Sequence, residues 1–141
     1  MPTPVFFHSF IEAVMEKKHN LSSDTLKWML TNTAPSTSNT VKANITEIGA
    51  GNGYTAGGAT WSGVSSTSSS GTYYLNGDDV TWTASGGTMA TFRYAVLYND
   101  TATNDELICY LDYGVGLSYG TGLVHTIDID ATLGLFNLSV A

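Results

Sequence analysis

The chain has 141 residues, one cysteine, a formal net charge of −7 and only 12% charged residues, about half the ~25% usual for soluble domains. That length holds a single domain and buries a core without disulfides, which Cys109 alone has no partner to form. Five basic residues exclude a nucleic-acid backbone as partner, no apolar run reaches membrane-spanning length, and no leader pattern opens the chain, which predicts folding in a cytoplasm.

Thr3 and Pro4 open a predicted helix over residues 4–18, with a hydroxyl cap followed by proline in the first turn. Phe7, Phe10, Ile11, Val14 and Met15 fall on one stripe. Lys17 and Lys18 lie in the last turn, where the helix dipole favours cations, and Asn20 is the expected left-handed stop. Burying each large apolar group is worth roughly 1.5–3 kcal/mol, so the stripe is expected to dock, either on its own sheet or on a neighbouring subunit.

Residues 25–33 alternate, with Leu26, Trp28 and Leu30 on one side and Lys27 and Met29 on the other, which predicts a strand ended by Pro35. Residues 35–39 form a polar loop, and residues 41–48 fit a short helix or a strand. Five glycines between Gly49 and Gly58 preclude a regular element there. Residues 60–64 and 72–75 are predicted strands, with the Ser/Thr/Gly run 65–71 an unconstrained loop between them. Val80, Trp82 and Ala84 share the face of another strand.

The organising stretch is Met89 to Gly114, two apolar runs around the polar knot 99–105. Phe92, Tyr94, Val96 and Tyr98 alternate with Arg93, Ala95 and Leu97; Leu107, Cys109, Leu111 and Tyr113 alternate with Ile108, Tyr110 and Asp112. Apolar groups on both faces predict a central hairpin covered on both sides. Two more strands follow, one with Leu123, His125, Ile127 and Ile129 inward, the other carrying Phe136, Leu138 and Val140. About eight such segments with regular turn signals predict a mainly β fold. The expected form is an antiparallel β-sandwich or jelly-roll-like domain over 21–141, with an N-terminal α-helix over 1–20.

Motifs for chemistry are weak. Gly116 to Gly120 matches G-x-S-x-G around Ser118, but a nucleophile elbow needs a strand before the serine and a helix after it, and here another strand follows. Gly51 to Ala56 matches G-x-G-x-x-A, yet Gly57 and Gly58 stand where a phosphate-binding helix would start. Asn99, Asp100, Asn104 and Asp105 lack a calcium-loop spacing and suit turn geometry. The Asp128 and Asp130 pair reads as a solvated face. His8, His19 and His125 form no zinc pattern. The sequons at Asn44, Asn99 and Asn137 carry little meaning without a leader. Cys109 reads as a small core residue. Neither a metal nor another cofactor is expected. Tyr54 and Trp61, beside glycine-rich segments, are the aromatics expected at the surface and the candidates for a sugar-stacking platform.

Several stretches resemble the small virion proteins encoded in head-gene clusters of tailed bacteriophages. They are Glu16–Leu21 (EKKHNL), Thr25–Lys27 (TLK) running into Thr31–Pro35 (TNTAP), Ile45–Ile48 (ITEI) with Gly51–Gly58 (GNGYTAGG), and Trp82–Gly87 (WTASGG) leading to Phe92–Thr101 (FRYAVLYNDT). The resemblance implies a capsid-associated cement or decoration protein without enzymatic activity. It implies the major capsid protein as partner, a location on the phage head and a homo-trimer at a symmetry axis. Candidate capsid or subunit contacts are Gly51, Asn52, Gly53, Tyr54 and Trp61 in or beside the glycine-rich loop, and Phe7 and Phe10 on the helix. The glycine-rich loop and the Ser/Thr run are expected to be exposed and mobile until bound. The alternatives are a carbohydrate-binding or host-adhesion module, a tail or neck component and, last, a hydrolase using Ser118.

Overall fold

The computed structural model describes residues 1–140. In chain order it contains β1 (Val5–Phe6), α1 (Ser9–Met15), β2 (Leu26–Thr31), β3 (Ala59–Thr60), β4 (Ser65–Ser69), β5 (Thr72–Asn76), β6 (Val80–Thr83), β7 (Phe92–Asn99), β8 (Leu107–Leu117), β9 (Val124–Ile127) and β10 (Phe136–Ser139). The fold is mainly β and sandwich-like, with one short helix near the N-terminus. No helix among the described residues is long and apolar enough to cross a membrane.

The hairpin β7–β8 is central, as its two apolar faces predict. It sits inside a five-stranded sheet of order β1-β8-β7-β2-β3, in which every pairing is antiparallel. One face of that sheet supplies Trp28, Leu30, Ala95 and Leu97 to the main core. A second layer closes over them. It consists of the three-stranded sheet β10-β5-β4, contributing Leu75, and the pair β6-β9, contributing Val80, Trp82 and Ile127. The opposite face buries Met29, Val96, Tyr98 and Leu107 under Phe7 and Ile45. Chain segments rather than a third sheet cover this side.

Strict alternation fails at two points in the hairpin. Register shifts separate Phe92 from Tyr94 and Leu97 from Tyr98. Such irregularities turn the following side chains to the other face. Phe92 therefore enters the main core with Ala95 and Leu97, not the face shared by Val96 and Tyr98. Ile108 is the extra residue opposite the second shift, and it too faces the main core.

The N-terminal helix is shorter than the stripe predicts. Val5 and Phe6 pair with Tyr110 and Cys109 instead, because the edge of β8 offers backbone partners that a helical Val5 would leave unused. The helix runs only from Ser9 to Met15. It stops at Lys17, in the left-handed region at φ 61°, not at Asn20. The Lys18 amide donates to the Ala13 carbonyl at 2.8 Å and the Lys17 amide to Val14 at 3.2 Å, a Schellman closure that uses lysine where glycine is usual. The stripe thus divides. Phe7 is buried and Phe10 half-buried, while Ile11, Val14 and Met15 face solvent.

Three further expectations are corrected. The Ser/Thr run 65–71 is no loop: β4 pairs with β5 through a turn at Ser70 and Gly71, since β-branched and small hydroxyl residues extend readily when a partner strand is adjacent. Of residues 60–64 only Thr60 is strand. Leu123 points outward at 58% exposed, although His125, Ile127 and Ile129 of the same segment are buried; its amide closes the Gly120 to Leu123 turn while its carbonyl still accepts the Ala84 amide. The ambiguous segment 41–48 makes one 3-10 turn at Lys42–Asn44, flanked by extended Val41 and Ile45, and forms no strand.

Candidate interaction surface

The glycine-rich loop is pinned from within. Gly51 and Tyr54 exchange backbone hydrogen bonds at 2.8 and 3.1 Å. The tip residues Gly51, Asn52 and Gly53 are exposed, with the Asn52 side-chain amide donating to the Thr88 carbonyl at 2.8 Å. Tyr54, expected at the surface, is only 3% exposed. Its hydroxyl accepts from the Leu30 amide at 3.1 Å and donates to Glu47. The same carboxylate oxygen accepts the Gly57 amide at 2.6 Å, and the Tyr98 hydroxyl donates to the Gly57 carbonyl at 2.7 Å. Burial, reinforced by the bond to Glu47, pushes the Tyr54 hydroxyl far above its ordinary pKa, so it stays a donor. Gly58, at φ 78°, lies so close to β2 that a Cβ would stand 1.9 Å from the Trp28 carbonyl oxygen.

Trp61 is likewise 3% exposed. It packs edge-on against Trp28 with ring centres 6.0 Å apart, and its indole N–H donates to the Asp78 carbonyl at 2.9 Å. A sugar-stacking platform on Tyr54 and Trp61 is therefore overturned, and neither is an accessible contact. Both carry a polar handle that finds a partner inside, which is how such aromatics satisfy burial.

The chemical motifs resolve into structure. His125 is buried, with one ring nitrogen 3.0 Å from the Tyr119 hydroxyl and the other 3.0 Å from that of Tyr113. Both nitrogens are engaged, so the histidine nearest in sequence to Ser118 is not poised as its base. Asn99 is buried and organises the β7–β8 turn. Its carbonyl oxygen accepts the Thr101 and Ala102 amides, and its NH₂ lies 3.0 Å from His19 and 2.6 Å from Asp24. Asp128 and Asp130 are exposed, and Asp130 caps the following turn through the Thr132 and Leu133 amides. No group of three metal-ligating side chains converges among the described residues. Cys109 is fully buried, and that burial raises its thiol pKa.

What the molecule does present is an apolar surface. Ile11, Val14 and Met15 of α1 and Leu138 of β10 flank a groove of about 750 Å³. Phe10, Tyr73 and Phe136 also line it, with Phe136 meeting Phe10 and Tyr73 at ring distances of 5.9 and 6.4 Å. Met15 is 80% exposed, Ile11 66% and Leu138 62%, and Val140 continues the β10 row at 80%. Lys17 is the one formally charged residue lining the groove. Phe7 plays no part in this surface, being buried on the far face of the central sheet. The helical stripe made Ile11, Val14 and Met15 visible as apolar. Nothing in the sequence placed Leu138 beside them, because that depends on how the β10-β5-β4 sheet packs.

Compared with models of protein families, with curated proteins and with solved structures, the chain matches none.

Proposed function

We propose that the chain is a structural protein of a tailed-phage virion that binds the outer face of the assembled head and cements it. The observation that carries a binding role is the apolar surface of α1 and β10, where Ile11, Val14, Met15 and Leu138 line one groove on a molecule of net negative charge. Exposed apolar patches of this kind mark contact sites. The phage assignment rests on the resembling stretches. In the fold they supply the two ends of β2, all of β7 and the loop pinned against the central sheet by Tyr54 and Glu47. Acidic character favours the outside of a shell over its DNA-facing side. A protein that buries surface only across assembled subunits stabilises the assembled state by mass action.

Cryo-electron microscopy of the particle tests this. Density for the chain on the outer head surface is expected, together with co-sedimentation with assembled shells but not with free capsid subunits. Density confined to the tail or neck overturns it.

A further inference from the structure

We propose that the α1–β10 surface is a self-association interface in which β10 pairs antiparallel with β10 of a second copy of this chain. The inference does not depend on the virion assignment: it makes a second copy the first occupant of this surface, and a dimer closed over it would meet a shell through its other faces. β10 is an edge strand, hydrogen-bonded to β5 alone. The Val140 amide donates to Gly71 across that ladder. By the alternation of antiparallel pairing, Phe136 and Leu138 also turn their backbone groups toward β5, and Asn137 and Ser139 turn theirs outward. Free edges of this kind are ordinarily blocked by charge, proline or a bulge. Phe136 to Val140 (FNLSV) carries none of these.

The same geometry selects the occupant. Pairing Asn137 with Ser139 of the second copy sets Leu138 against its own counterpart about a two-fold axis, so each copy meets an identical apolar row. Glu12 of α1 faces a separate depression beside Ser9 and Thr40, and the groove itself holds only the positive charge of Lys17. Two copies, each at −7, repel at long range, but the contact itself brings no carboxylates face to face. Four mostly exposed apolar side chains, the part-exposed Val14 and the strand between them offer on the order of 500 Å² per copy, so two copies reach about the 1,000 Å² that a specific interface needs. The opposite edge of the same sheet, β4, lacks this combination. β4 is Ser-Ser-Thr-Ser-Ser and presents no large apolar side chain.

An isologous contact closes at two copies, not at the three that the phage resemblance implies. Sedimentation equilibrium of the purified chain up to about 100 µM reads the outcome. The wild type is expected to reach twice the monomer mass. Leu138→Lys and Asn137→Pro, the second removing only an outward N–H, are expected to weaken association at least about tenfold while leaving the circular dichroism spectrum unchanged. Met15→Glu, on the other element of the surface, is expected to weaken it as well and serves if a strand variant fails to fold. A wild type that stays monomeric, a mass of three copies, or a dimer indifferent to the folded variants overturns the proposal.

Discussion

Tyr54 reaches from an exposed glycine-rich loop to the Leu30 amide and the Glu47 carboxylate, so one hydroxyl joins the loop to β2. Phenylalanine at this position would keep the ring packing and strand the Leu30 N–H in a buried site. Leaving such a donor without a partner costs about 1–3 kcal/mol. Tyr54→Phe is expected to lower unfolding stability by that amount, read from the urea midpoint at unchanged m-value. Trp61 makes a related point about function. Its removal vacates core space against Trp28 and orphans the Asp78 carbonyl, and Trp→Ala changes of this kind cost about 3–5 kcal/mol. Trp61→Ala is expected to lower the melting temperature strongly, so any binding lost with it reports unfolding and not a missing contact. A variant that melts like the wild type would show that the ring is not core.

At the scale of elements, backbone conformation decides more than side-chain pattern does. Lys17 closes α1 in the left-handed region, where a residue with a Cβ is disfavoured by roughly 1–2 kcal/mol. Lys17→Gly is expected to stabilise the fold by up to about 1 kcal/mol, the extra unfolded-state entropy of glycine offsetting part of the gain; chemical denaturation checks the sign. Gly58→Ala is expected to act in the opposite direction, by more than about 2 kcal/mol, because both the φ of 78° and the Trp28 carbonyl oppose a side chain. These positions also mark how far the sequence was readable. β2, β6, β7 and β8 were legible because Trp28, Trp82, Val96 and Leu111 lie on period-two runs long enough to leave one reading. The helix start was not, because the competition for Val5 and Phe6 came from the distant edge of β8. The β4 strand was hidden because serine and threonine lack an apolar period. The candidate surface was half legible: the stripe showed Ile11, Val14 and Met15, but Phe7 left it for the sheet and Leu138 joined it through tertiary packing. The burial of Tyr54 and Trp61 was not legible, because a neighbouring glycine suggests exposure, whereas here Gly58 allows the loop to press against β2.

Across the whole molecule, two buried histidines tie separate regions together and make stability depend on pH. His125 sits among Trp82, Phe92, Tyr113 and Tyr119 and links β9 to the end of β8 and the loop beyond it. His19 joins the exit of α1 to the β7–β8 turn through Asn99. Burial lowers both pKa values, that of His125 to about 4. The unfolded chain therefore binds more protons than the folded one between the ordinary histidine value of ~6.5 and the folded value. Stability must then fall as pH drops through that window, and it levels off for His125 only below about pH 4. At about 1.4 kcal/mol per pKa unit, the most that His125 can contribute to this loss is roughly 3.5 kcal/mol. Asp112, held below its ordinary pKa by Arg93, stays charged through most of the window and does not mask the effect. His125→Gln removes the titrating group. Urea midpoints at pH 7 and pH 4.5 are expected to differ less for that variant than for the wild type, even if the variant is weaker at both. An equal or steeper fall in the variant would assign the acid sensitivity to other groups. A wild type as stable at pH 4.5 as at pH 7 would show that water reaches the His125 ring and that its aromatic enclosure is not closed in solution.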